Sequence, residues 1–216
     1  MQAEKIQKTS EIRMSRRQAG RTRSAVVAAM LSAVAFVLMF LEFPIPVLIP
    51  EFIKMDFSDL PALLGAFALG PVYGIVISLM KNLLHILIKG TATAGVGELC
   101  NFMLGAAFSY TAGMIYKRHK NRRGALLGAL AGALVMALFS VPANFYITYP
   151  AYVKFYGMPL EAIIGMYQAI LPSADSLIKC LLIFNAPFTL VKGLLDVGLC
   201  FLVYKPLSPI LHGRGR

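Results

Sequence analysis

Residues 124–149 read GALLGALAGALVMALFSVPANFYITY, a run without a single Asp, Glu, Lys or Arg. No strand-type alternation of apolar and polar positions runs through it, so it reads as one helix. At 1.5 Å per residue that helix is about 39 Å long, enough to cross a hydrocarbon core about 30 Å thick. In lipid a chain must satisfy its own backbone hydrogen bonds, and a helix does so within one segment. The remainder of the chain has the same character. Of its 216 residues 58% are hydrophobic and 14% charged, with a mean hydropathy of +0.70. An ordinary soluble domain is about half apolar and about a quarter charged.

Working outward from this run, five further candidate spans appear. The first covers 24–41 and ends where Pro44, Pro46 and Pro50 break the helix. The second, 58–69, is closed by Gly70-Pro71, and the third covers 71–88 with Pro71 well placed at a helix start. The fourth covers 98–116 and the sixth 175–204, with 124–149 as the fifth. The second is too short to cross alone and is expected to tilt, or to pair with the third as a re-entrant hairpin. The expected fold class is therefore an all-α membrane protein with six transmembrane helices. It divides into a basic segment 1–23, a membrane domain 24–205 and a basic tail 206–216.

Charge orients these spans. The formal net charge is +11, and it is unevenly placed. Lys5, Lys8, Arg13, Arg16, Arg17, Arg21 and Arg23 precede the first span, and Lys117, Arg118, Lys120, Arg122 and Arg123 fill the link before the fifth. Lys205, Arg214 and Arg216 follow the sixth. The other links carry Glu42, Glu51, Asp56, Asp59, Glu98, Glu161 and Asp175 with few lysines. The positive-inside rule then places both termini and the 117–123 link in the cytoplasm, in agreement with an even number of crossings. Basic residues beside spans read as topology signals and contacts to anionic lipid head groups, so no nucleic-acid partner is expected. The long basic N-terminal segment leads into a full span without a small-residue cleavage site, unlike a signal peptide.

Several functions are excluded by what the motifs lack. Cys100, Cys180 and Cys200 are scattered in apolar segments, and His85, His119 and His212 share no metal-site spacing. There is no GxxxxGK[ST] phosphate loop, GxSxG elbow, HExxH or GxGxxG. No enzyme activity, metal or cofactor is expected, and ATP-driven work would require another subunit.

The informative residues are polar groups inside or beside apolar spans, where they are costly and point to function. At the entrance to the second span lies Lys54-Met55-Asp56-Phe57-Ser58-Asp59, where Asp56 or Ser58 also suits a helix cap and Asp59 a first turn. Lys81-Asn82 sits in the middle of the third span and reads as functional. Glu98 and Asn101 lie one turn apart on the fourth; Glu98 also suits a helix start. Near the outer end of the fifth span, Asn144 stands among aromatics, whereas Tyr146, Tyr149, Tyr152 and Tyr156 read as interfacial anchors. The sixth span carries Asn185, Pro187, Thr189 and Lys192; the proline should kink the helix and free carbonyls. Lys192 needs a partner, either a ligand or Asp196 one turn on, and the ligand is the preferred reading. Ala25, Ala29 and Ala33, like Gly124, Gly128 and Gly132, form small-residue ladders that admit a neighbouring helix, within the chain or from a separate subunit.

These residues together carry a resemblance. KMDFSDLPALLGAFALGPVYGIVISLMKN at 54–82, GVGELCNFMLG at 95–105, ANFYITYP at 143–150 and APFTLVKG at 186–193 resemble, in that order, the substrate-binding S components of energy-coupling factor (ECF) vitamin transporters, of the riboflavin-specific type. The resemblance covers the chain from the first span onward. It implies vitamin capture from outside the cell, a pocket near the outer face and a roof formed by the loop after the first span. It also implies assembly in a bacterial cell membrane with a transmembrane coupling subunit and two ABC-type ATPases. Ala25, Ala29 and Ala33 would then belong to the docking face. The expected substrate-binding residues are Lys54, Asp56, Asn82, Glu98, Asn101, Asn144, Asn185, Thr189 and Lys192. Amides suit the pyrimidine edge of a flavin, and Phe52, Phe57, Phe145 and Phe188 suit its apolar walls. Related S components carry other vitamins. A stand-alone secondary transporter is the competing class, although its usual internal repeat is not seen here.

Overall fold

The computed structural model describes residues 2–91 and 94–212, so Arg214 and Arg216 of the basic tail lie outside the described residues. The chain is mostly helical. Its helices are α1 (Gln2–Phe40), α2 (Leu60–Ala68), α3 (Pro71–Lys89), α4 (Val96–Arg118), α5 (Arg122–Ala143), α6 (Tyr149–Tyr156), α7 (Leu160–Gln168), α8 (Leu177–Cys180) and α9 (Ala186–His212). Strands β1 (Phe43–Pro44) and β2 (Lys54–Met55) pair antiparallel, Phe43 opposite Met55, and tie the base of the loop after α1. Two joints are π-helical: Asn144–Thr148 fuses α5 to α6, and Leu181–Asn185 fuses α8 to α9.

Both π turns have the same cause in the sequence. Each is followed two residues later by a proline, Pro150 or Pro187. Proline lacks an N–H, and its ring collides with the carbonyl four residues back, so an α-helical turn cannot pass there undisturbed. The widened turn absorbs the mismatch. The expected kink at Pro187 therefore takes the form of a π turn, and each turn carries one of the polar residues singled out above, Asn144 or Asn185.

Among the described residues, four helical segments are long and apolar enough to cross a membrane: Gln18–Phe40, Pro71–Lys89, Arg122–Phe155 and Leu177–Tyr204. Their outward faces carry large apolar side chains such as Val26, Met30, Val34 and Val37 on α1 and Val72, Val76, Leu83 and Leu87 on α3, all exposed. A soluble surface does not tolerate so broad an apolar belt, whereas lipid does. The short α2 behaves differently. It is about 14 Å long at helical rise, half a hydrocarbon core, and residues 60–67 are all buried. It lies within the bundle against α1, α3, α4 and α9.

Asp59 is the residue at the N-cap of α2, yet its side chain caps nothing. Instead it reaches the middle of α3 and α4: a Cβ added at Gly105 would collide with its Oδ1. The segment before α2 thus dips to mid-bundle depth. The main apolar core joins α2, α4, α5 and α9 through Leu63, Phe108, Ala133, Met136 and Val197. The glycine ladder of α5 is consumed in it. A Cβ at Gly132 would stand 2.6 Å from the carbonyl oxygen of Phe108, and one at Gly128 2.7 Å from that of Ala112. A second core closes the loop-bearing end, with Ile49, Tyr149, Tyr167, Leu181 and Phe184.

Candidate functional site

Between the loop after α1, the ends of α3 and α4, and the two π joints lies a cleft of about 340 Å³. This is within the size range of small-molecule sites. Lys54, Asp56, Glu98, Asn101, Asn144, Asn185, Thr189 and Lys192 all line it, as do Phe52, Tyr149 and Phe188. Asn82 does not. It is buried on α3 with its Nδ2 donating to the Ser78 carbonyl at 2.7 Å.

The floor is ionic. Lys192 Nζ lies 2.9 Å from Asp56 Oδ2 and 3.3 Å from Asp59 Oδ2, and Lys81 Nζ lies 2.6 Å from Asp59 Oδ1. Lys81 also donates to Ser58 Oγ at 2.6 Å, and Ser58 donates its N–H and hydroxyl to Asp56 Oδ1. All five side chains are buried. Two expectations change here. Lys192 is paired with the acidic residues ahead of α2 rather than with Asp196, whose two carboxylate oxygens have no hydrogen-bond partner among the described residues. Asp56 accepts from the Ser58 backbone two residues on, so it shapes the loop instead of capping α2.

One wall is a hydroxyl and amide network. Tyr149 and Tyr167 hydroxyls bond each other, Tyr167 donates to Asn185 Oδ1 at 2.7 Å, and Asn185 Nδ2 donates to Tyr149 at 3.3 Å. Phe52 sets its ring edge-to-face on Tyr149, Tyr152 and Tyr167 at centroid distances of 6.2–6.4 Å, so the loop roofs the cleft. Tyr149, read above as an anchor, is 1% exposed, while Tyr146 at 74% remains on the outside. The phenol of Tyr167 and the short α7 that bears it escaped the sequence reading, because a nine-residue helix is too short to stand out as a span and one tyrosine within it carries no distinguishing signal.

Asn144, at the opposite π joint, donates to the Ser140 carbonyl at 2.7 Å and accepts a weak bond from the Cys100 thiol at 3.8 Å. At the mouth, Glu42 receives Lys54 and Lys89, each at 2.7 Å. Burial pushes the Glu42 carboxyl up, but the two ammonium groups outweigh it and hold it below the ordinary carboxylate range. Behind them His85 and Glu98 are buried together, with Nδ1 3.2 Å from Oε1. The floor can thus offer charge, the π joints neutral amides, and the roof an aromatic edge: chemistry for binding a flat polar molecule, with no nucleophile–base pair among the lining residues.

Comparison with known proteins agrees with this geometry. The chain is 34% identical over 186 residues to "Riboflavin transporter RibU" of Staphylococcus aureus (strain TCH60), covering 86% of this chain and 90% of that one. It is 31% identical to "Riboflavin transporter FmnP" of Bacillus subtilis (strain 168), covering 88% and 94%. A solved structure of the S component of a bacterial ECF transporter superposes with a TM-score of 0.67 at 32% identity, over 88% of this chain and 98% of that one. Residues 23–204 match the family described as "ECF transporter, substrate-specific component", a family of transporter subunits rather than enzymes, and with the apolar belt and roofed cleft already described the chain belongs to that family of membrane proteins.

Proposed function

We propose that this chain captures riboflavin at the outer face of the bacterial cytoplasmic membrane and delivers it to an ATP-driven ECF complex. The observation that carries the reading is the convergence of Asn144, Asn185, Thr189 and Lys192 on one roofed cleft. Neutral amides offer the paired donors and acceptors that an imide edge requires, and Lys192 can serve a ring carbonyl. Glu98, Asn101, Lys54 and Asp56 are assigned to the same ligand's remaining polar groups. Asn82, behind the wall, is assigned a supporting place.

The topology proposed has six crossings and both termini cytoplasmic, with the loop-plus-α2 segment as the second. It rests on the basic clusters at 1–23, 117–123 and 205–216. Ala25, Ala29 and Ala33 are exposed on α1, while Ala28, Ser32 and Ala35 face the core. The exposed ladder is proposed to receive the transmembrane coupling subunit, itself joined to two ABC-type ATPases. An Ala29→Leu variant is expected to bind vitamin normally yet fail to co-purify with the coupling subunit; intact co-purification would remove the docking assignment.

The deciding experiment is purification of the chain alone followed by an absorbance spectrum and a ligand titration. Stoichiometric riboflavin, seen as a yellow preparation, supports the reading. Colourless protein that binds only thiamine or biotin would assign another vitamin. Uptake by the chain reconstituted without ATPases would indicate a stand-alone transporter.

A further inference from the structure

The mouth of the cleft contains a histidine that the ligand assignments above leave unused. His85 lies on α3, one turn before its end at Lys89, and is 6% exposed on the cleft wall. Its Nδ1 faces Glu98 Oε1 at 3.2 Å. The other Glu98 oxygen accepts from the Thr91 hydroxyl at 3.0 Å, and that hydroxyl in turn accepts from the Gly95 backbone N–H at 2.8 Å. The link between α3 and α4 therefore holds the carboxylate in place, and the carboxylate fixes the imidazole.

In a neutral imidazole one ring nitrogen donates and the other accepts, so with Nδ1 donating to Glu98 the lone pair lies on Nε2. Nε2 is buried and has no hydrogen-bond partner among the described residues. The nearest ring, Phe40, meets the imidazole edge-on at a centroid distance of 6.0 Å and supplies no polar donor. A buried acceptor without a donor is costly, so its retention in a binding cleft points to a donor that arrives with the ligand.

The chemical class of that donor follows from the surroundings. An anionic group would meet both the lone pair and Glu98, so the donor is a neutral O–H or N–H. The amide-rich wall at Asn144 and Asn185 suits an imide edge, which leaves hydroxyls of a flexible chain for the mouth. We infer that His85 Nε2 accepts a hydrogen bond from a hydroxyl of the ribityl chain and so selects flavins that carry that polyol. This rests on the riboflavin reading given above.

The test compares riboflavin with lumiflavin, which keeps the tricyclic ring and has a methyl in place of the ribityl chain. Affinities are read from quenching of flavin fluorescence by the full chain in detergent. His85→Phe is expected to lower riboflavin affinity about tenfold while lumiflavin affinity stays within about twofold. His85→Gln, whose amide oxygen reaches a similar position, is expected to recover part of the loss. Lumiflavin binding reports that the variant is folded, so a merely structural role would lower both affinities together and overturn the inference. Unchanged riboflavin binding in His85→Phe would overturn it alone. Wild-type protein that binds neither flavin would overturn the riboflavin reading and this inference with it.

Discussion

Lys81→Met is expected to lower the unfolding free energy by about 3–5 kcal/mol, the usual cost of removing one partner from a buried ion pair. Lys81 is fully buried, and its ammonium holds Asp59 Oδ1 and Ser58 Oγ, both at 2.6 Å. Methionine fills much of the same volume, so the loss isolates charge from packing. Without it, among the described residues, Asp59 keeps the Lys192 ammonium, at 3.3 Å, which Asp56 already shares. Thermal unfolding of the ligand-free protein in detergent should shift down by on the order of 10 °C. Adding Asp59→Asn in the same chain should return part of that stability, because the orphaned charge is then gone. A midpoint within a degree or two of wild type would show that water or a mobile side chain already screens the pair.

Lys192→Met is expected to weaken riboflavin binding by about 1.5–3 kcal/mol, roughly 10- to 150-fold, the range for a hydrogen bond to a charged group. Lys192 differs from Lys81 in that it lines the cleft as well as pairing with Asp56 and Asp59. It therefore has two separable effects. Its structural part should appear in thermal unfolding, and its ligand part in titrations well below the midpoint on fully folded protein. Affinity unchanged while stability falls would confine Lys192 to the floor. The ligand part also predicts that riboflavin stabilises wild type by more degrees than it stabilises the variant.

The membrane class was legible because lipid imposes a single requirement, satisfaction of the backbone along about 20 apolar residues, and 124–149 meets it plainly. Most proposed contacts were legible too, since Asn144, Asn185, Thr189 and Lys192 are polar residues in apolar surroundings. The pairing of Lys192 with Asp56 was not, because those residues are 136 apart in the chain and no local period links them. Asn82 misled for the opposite reason. Its neighbours make it conspicuous in sequence, but it is buried on α3 with its amide bonded to the Ser78 carbonyl and is not among the residues lining the cleft. From the sequence Tyr149 reads as an interface anchor, although a buried tyrosine can equally serve as a network hydroxyl. Only the packing of Phe52, Tyr167 and Asn185 around it decides between them.

The inward dip ahead of α2 has a consequence for biosynthesis. Asp59 meets Lys81 after only 22 further residues, so that pair can enter the bilayer with the α2–α3 hairpin. Asp56 must wait for Lys192. At about 5–20 residues per second the ribosome needs roughly 7–27 s to deliver it. During that interval the nascent protein carries a half-inserted acidic loop without its final counter-ion. The last helix thus acts as the latch of membrane insertion, and chains truncated before it should be recognised and degraded by membrane quality-control proteases.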